Sequence, residues 1–175
     1  MHEPLNIELR DTEWEYTYTD HGRNIARAIV FDDEHKLYFV KTSRDDNFGK
    51  CSYIGTSGGG VEPGEKPEEA IKRELNEELG VAVDVICKLG VVSDYYNLIH
   101  RHNINNFYLC RITAFGEKHL NPDEINDFHL STVKITYEEA LQEYENAKES
   151  KLGRLVAQCE LPILKYAKEI MDELA

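Results

Sequence analysis

The sequence lacks a long apolar run, a close cysteine pair and an excess of basic residues. No stretch approaches the roughly 20 apolar residues that span a bilayer. The cysteines, Cys51, Cys87, Cys110 and Cys159, stand far apart with no C-x-x-C pair, which excludes a zinc ribbon or a small disulfide scaffold and fits reduced thiols in a cytoplasmic protein. Lys and Arg number 20 against 33 Asp and Glu, a formal charge of −13. That balance excludes a general nucleic-acid binder, because phosphate backbones are gripped by Lys and Arg, and disfavours docking on an anionic membrane. Residues 1–11 carry Glu3, Glu8 and Asp11 and no apolar h-region, so no signal peptide is expected there. What is present is a chain of 175 residues, 41% apolar and 30% charged, enough to bury the core of one domain.

Period-two alternation of Leu5, Ile7 and Leu9, then Trp14, Tyr16 and Tyr18, predicts two short strands forming a hairpin. Asp20 to Gly22 reads as a loop. Arg27–Phe31 and Lys36–Lys41 read as strands around an Asp32–His35 turn, followed by a polar loop from Arg44 to Lys50. The glycines of Ser57–Gly60 suggest a bent backbone or a close approach. Pro67–Leu79 predicts a helix, with Pro67 in its first turn and Gly80 just past its end. Val81–Val92 and Asn106–Thr113 read as strands, and Ser93–Asn105 as a loop. Asn121–Asn126 reads as an acidic loop. Tyr137–Lys148 and Leu152–Leu174 read as helices, with Pro162 placed to kink the second or split it in two. Strands and helices mix without regular βαβ alternation, so the expected class is an α+β sandwich.

The Pro67–Leu79 helix carries most of the information. At about 100° per residue, Ile71, Leu75 and Leu79 form an apolar stripe while Glu74, Glu77 and Glu78 crowd one face beside Arg73. Such like charges repel by a few tenths of a kcal/mol per pair in an isolated helix. Three hard oxygen donors next to a glycine-rich loop suit Mg²⁺ or Mn²⁺, and magnesium usually takes substrate phosphates as well.

Gly59, Glu65 and the run Arg73–Glu74–Leu75–Asn76–Glu77–Glu78–Leu79–Gly80–Val81 fill every fixed position of G-x5-E-x7-R-E-U-x-E-E-x-G-U, with U a bulky aliphatic. The chain therefore resembles the Nudix (MutT-like) hydrolases. The resemblance implies an α/β/α sandwich around a mixed sheet. It also implies metal-dependent hydrolysis of a diphosphate bond in a nucleoside diphosphate linked to another moiety: a nucleotide sugar, an ADP-ribose-like compound or a nucleoside triphosphate. By matching positions, Glu74, Glu77, Glu78 and the Gly58 carbonyl would hold the metal, Arg73 and Glu65 would pair, and Glu74 is a candidate base. Nudix-fold binding modules without turnover commonly lose box carboxylates, whereas this chain keeps them.

Outside the box, Glu124 is the candidate for a further carboxylate, ahead of its neighbour Asp123. Arg27 and Arg44, and His100 and His102 beside Arg101, are candidates for binding substrate. Tyr95, Tyr96 and Phe107 could stack on a base, and Lys41 could reach phosphate. The expected layout is one domain, with a strand extension over 1–22, a core over 23–145 and a helical extension over 146–175. The apolar stripe of the last helix would close the core or serve a homodimer.

Overall fold

The computed structural model describes residues 2–174. In chain order the elements are β1 (Leu5–Glu8), β2 (His21–Phe31), β3 (Leu37–Asp46), β4 (Gly49–Gly55), β5 (Ser57–Gly60), α1 (Pro67–Leu79), β6 (Val81–Tyr96), β7 (Arg101–Phe115), α2 (Pro122–Asn126), β8 (Ser131–Ile135), α3 (Tyr137–Ala147) and α4 (Lys151–Leu174). The strands form one eight-stranded sheet in the order β1-β6-β7-β2-β3-β4, with β5 added on β2 and β8 on β3. It is mixed: β1 runs parallel to β6 and β2 to β7, and the other pairs are antiparallel.

Strand alternation sends successive side chains to opposite faces and so makes two cores. Ala26, Ala28 and Val30 of β2, with Tyr108 and Cys110 of β7, pack against Ala70, Ile71 and Leu75 of α1. The intervening Ile29, Phe31, Phe107 and Leu109 pack on the other side, against Tyr144 of α3 and Val156, Ile163 and Ala167 of α4. The result is the expected α+β architecture, with helices on both faces of a mixed sheet.

The box helix runs over the expected residues. Pro67 opens it, and Gly80 closes it in the left-handed region (φ 69°), its N–H reaching the carbonyls of Asn76 and Leu75, a conformation that glycine adopts without penalty.

Several expectations are corrected. Leu5–Tyr18 is no hairpin: β1 pairs with β6, and residues 9–20 form no strand. Asp11 explains why. Its Oδ1 accepts from the N–H groups of Glu13 and Trp14, and its Oδ2 from that of Asn97. Trp14 meets Phe48 edge-on at 5.5 Å. The alternating aromatics serve tertiary contacts instead of a ladder. The loop expected at Arg44–Lys50 is the β3–β4 hairpin turn, which Gly49 completes at φ 100°. Ser57–Gly60 is a strand on β2. Most of Ser93–Asn105 is strand, broken by a tight turn at Asn97–His100. The sequence of Asn121–Asn126 makes a capped helical turn, in which Asn121 and Glu124 each bond the other's backbone N–H. Pro162 does not split α4. It sits on the exposed face, where the carbonyl it leaves unpaired can be hydrated.

The apolar stripe of α4 is spent within the chain, since Leu155, Val156, Cys159, Ile163, Ala167 and Ile170 are all buried. Close packing at the start of α4 gives a test. A Cβ on Gly153 would lie 1.8 Å from the Ala147 carbonyl oxygen at the end of α3. Helix propensity favours Ala over Gly by up to about 1 kcal/mol, whereas overpacking costs about 1–3 kcal/mol. Gly153→Ala is therefore expected to lower Tm by several degrees in a thermal melt.

Candidate active site

Arg73 organises the box. Its Nε and Nη2 donate to the two oxygens of Glu65 at 2.9 and 3.0 Å, Nη2 also donates to the Gly60 carbonyl at 3.1 Å, and Nη1 donates to Glu74 at 2.8 Å. One planar fork thereby ties the 60–66 loop to α1, a geometry that lysine cannot reproduce. These bonds from Arg73 hold the Glu65 carboxyl down at about 2. Glu74 behaves oppositely: burial raises its pKa, Arg73 opposes the rise, and Glu77 and Glu124 add to it. Gly59 makes room for Glu74, since a Cβ there would lie 2.6 Å from the Glu74 carboxylate.

Glu78 points toward the sheet and is 6% exposed. Its Oε1 accepts from Ser57 Oγ at 2.7 Å and from the Gly58 N–H at 3.4 Å. Burial lifts its pKa to about 8, with the nearby Glu124 carboxylate reinforcing the shift. Glu77 diverges. Its side chain is 45% exposed and leans on Arg73 at 3.5 Å, and neither it nor Glu74 is among the residues lining the cavity that Glu78 and Glu124 face.

Among the described residues no three His, Cys, Asp or Glu side chains converge at metal-holding distance. The donor chemistry nevertheless fits a hard cation. Glu124 acts on both Glu74 and Glu78, raising both, and that like-charge crowding is what a divalent ion among them would relieve.

The cavity holds about 370 Å³ and is lined by Gly58, Glu78, Asp123 and Glu124 together with Arg23, Arg27, Arg44 and Arg101. Arginine ion pairs among the described residues involve Arg44 with Asp46, Arg73 with the box carboxylates, Arg111 with Asp84 and Arg154 with Glu13. Arg23, Arg27 and Arg101 have none. Burial lowers the pKa of Arg23, and the Arg27 charge lowers it further. Burial also lowers that of Arg101, as do the charges of Arg23 and Arg27. Three crowded, unpaired guanidiniums make an anion site.

The other candidates divide. Arg44 lines the cavity but is engaged: Asp46 pairs with it, and its guanidinium lies between the Phe48 and Phe128 rings at 5.0 and 4.7 Å. His100 and His102 are not brought to the cavity. His100 occupies the tight turn at φ 58° and stacks on Tyr18. His102 stacks on Tyr95 and meets Ser93 Oγ. Alternation along β7 sends Arg101 to the cavity and His102 away. Tyr96 lines the cavity, while Phe107 is wholly buried and Lys41 points elsewhere.

Sequence reasoning missed Arg23, Thr56 and Glu160. Arg23 and Arg27 share a face of β2, and that spacing was available once the strand was extended to His21. Glu160, on α4, is 4% exposed and accepts from the Thr56 N–H, Thr56 Oγ1 and Tyr144 Oη at 2.7 to 2.9 Å. A charged residue inside an apolar helical stripe was its signal.

The sequence profile of the NUDIX domain matches residues 21–155. The chain belongs to the NUDIX family. Within it, the chain is 75% identical over 58 residues to the nucleoside triphosphatase NudI of Escherichia coli (strain K12 / DH10B), and over 59 residues to that of Salmonella agona (strain SL483). Each match spans 33% of this chain and 40% of the relative. Solved structures share the fold. The NUDIX hydrolase from Nitrosomonas europaea is 17% identical with a TM-score of 0.61, covering 79% of this chain and 85% of that one. An ADP compounds hydrolase is 18% identical with a TM-score of 0.56, covering 87% and 75%.

The Arg73–Glu65 fork predicts a pH dependence of stability. A carboxyl whose pKa falls on folding stabilises the fold fully above its ordinary value near 4.5 and loses that contribution as pH drops toward 2. Urea melts should show Glu65→Gln less stable than the wild type at pH 7, with the gap closing as pH falls through that window.

Proposed function

We propose that the protein hydrolyses a diphosphate bond of a nucleotide with the help of Mg²⁺ or Mn²⁺, and that its substrate is a nucleoside triphosphate. The reading rests on one juxtaposition: the box carboxylate Glu78 and the neighbouring Glu124 line the same cavity as the unpaired Arg23, Arg27 and Arg101. Arg23, Arg27 and Arg101 offer donors to several anionic groups in a row, which a polyphosphate chain supplies and a nucleoside monophosphate does not. The local likeness to relatives named nucleoside triphosphatase NudI supports the same choice.

In this reading Arg23, Arg27 and Arg101 bind and orient phosphate oxygens. Glu78, Glu124 and Glu74 would hold the cation, with the Gly58 carbonyl as a further donor and Glu77 at the rim. When bound, the cation neutralises phosphate oxygens and makes a bound water more acidic. Glu74, with its raised pKa, takes the proton of the attacking water. The Arg73 fork keeps Glu74 in place while that proton moves.

The test is a release assay with Mg²⁺ and, separately, Mn²⁺, over nucleoside triphosphates, nucleotide sugars, ADP-ribose and dinucleoside polyphosphates. Metal-dependent cleavage of triphosphates is expected. Partners of metal ligands already cost about 10–100-fold when removed, so Glu78→Gln should lose ~10²-fold or more with the fold intact by circular dichroism. Cleavage of nucleotide sugars alone would refute the triphosphate assignment, and an unchanged rate in Glu78→Gln would refute the role of that residue.

A further inference from the structure

Asn105 lies on β7, flanked on both sides within the sheet by Ile25 of β2 and Val92 of β6. In a central strand the backbone N–H and C=O groups are taken up by the ladders, so Asn105 can face the cavity only with its side chain. That side chain lines the cavity, yet the residue is only 4% exposed. Its amide orientation follows from chemistry. Nδ2 lies 3.0 Å from the Val92 carbonyl oxygen and 2.9 Å from Asp94 Oδ1. A carbonyl oxygen can only accept, so the NH₂ must be the half that faces Val92, and both of its hydrogens are then engaged. Oδ1 is left over as an acceptor, and no donor of the protein reaches it among the described residues.

From this geometry we propose that Asn105 is a specificity-determining residue that reads an N–H donor on the nucleobase of the substrate. The proposal takes the nucleotide from the reading above and adds what is recognised. Phosphate cannot satisfy Oδ1, because an anionic oxygen brings no hydrogen. A base N–H can, and the surroundings suit a flat ring. Tyr96, with Arg101 over its ring at 5.3 Å, and Tyr53 line the same cavity, and Val156 and Cys159 of α4 add apolar lining. The acceptor cannot swing away, because Val92 and Asp94 hold the other half of the amide. A seated base shuts water out of the cavity, so one without the donor would leave this acceptor enclosed and unpaired, and sites built this way reject such analogues strongly.

Deletion analogues test the idea without adding bulk. The pairs are ATP against purine riboside triphosphate, GTP against ITP, CTP against its des-amino counterpart, and UTP against its deaza counterpart, in which the ring N–H becomes C–H. The wild type should favour the donor-bearing member of at least one pair by ~10²-fold or more in kcat/KM. In Asn105→Leu that preference should shrink to a few-fold. Asn105→Ser, which keeps a polar group toward Val92 without a fixed acceptor, should behave the same and covers the case in which the leucine variant fails to fold. Ratios for the 2′-deoxy and 3′-deoxy sugars should not move. The proposal is overturned if the wild type discriminates within no pair, if the preference survives in the folded variants, or if the sugar ratios move instead of the base ratios. Calorimetry with methylene-bridged, non-cleavable forms of the same pairs separates the two claims. Donor-dependent binding without turnover would remove the hydrolase reading and leave Asn105 standing, whereas turnover without base discrimination would do the reverse.

Discussion

Arg73 lies within 4 Å of four carboxylates, Glu62 at 3.9, Glu65 at 2.9, Glu74 at 2.8 and Glu77 at 3.5 Å. A helix with this much negative charge on one face, in a chain of net charge −13, needs a cation at its centre. Guanidinium serves where ammonium would not, because its donors point in fixed directions and can bind Glu65 with two bonds while also reaching the Gly60 carbonyl and Glu74. The position of the loop and the direction of Glu74 are thus set by one group. Glu78, which Arg73 does not neutralise, lines the cavity together with Asp123, Glu124 and Glu160.

A second constraint runs through the short β5 strand and the residue before it. The Thr56 carbonyl accepts from Arg27 Nη1 at 3.1 Å, and Ser57 Oγ donates to Glu78. Adjacent residues therefore hold a cavity arginine and a cavity carboxylate. The Thr56 N–H and hydroxyl are in turn fixed by Glu160 of α4. The C-terminal helix is consequently joined to the site by hydrogen bonds and does more than cap the core. Its carboxylate is buried where α4 meets the cavity, and removing it would strand three buried donors, the Thr56 N–H and hydroxyl and the Tyr144 hydroxyl.

Legibility in the sequence followed the range of the interactions. The box helix, its proline start and its glycine stop could be read because they depend on neighbours three and four residues away. The Glu65–Arg73 pairing was reachable through the motif. The 9–20 segment misled, because Trp14 and Tyr18 alternate like a strand but are held by Asn97, Phe48 and His100, all distant in sequence. His100 and His102 attracted attention by residue type, yet the parity of β7 decides which side chain reaches the cavity, and parity was invisible while the segment read as a loop. Once Arg101–Phe115 is a strand, Arg101 and Asn105 share a face. Glu160 could not be placed from the chain alone, because its partners Thr56 and Tyr144 come from other elements.

The sheet also explains why glycine is needed where the two sides of the site meet. Helix α1 packs on one face, while the arginines and α4 occupy the other, so a carboxylate from α1 must pass the strand edge to face them. Bulk on β5 would block that passage. A Cβ on Gly58 would lie 2.0 Å from the Ala26 carbonyl oxygen, and one on Gly59 would displace Glu74. Without side chains there, β5 can sit against β2 and α1 can sit against β5, which is close enough for Glu78 to reach Ser57. Of the two readings these glycines offered, a bend or a close approach, the structure shows the second: they let a strand run between a helix and a sheet. The same closeness brings negative charge from one layer into a cavity whose positive charge comes from the other.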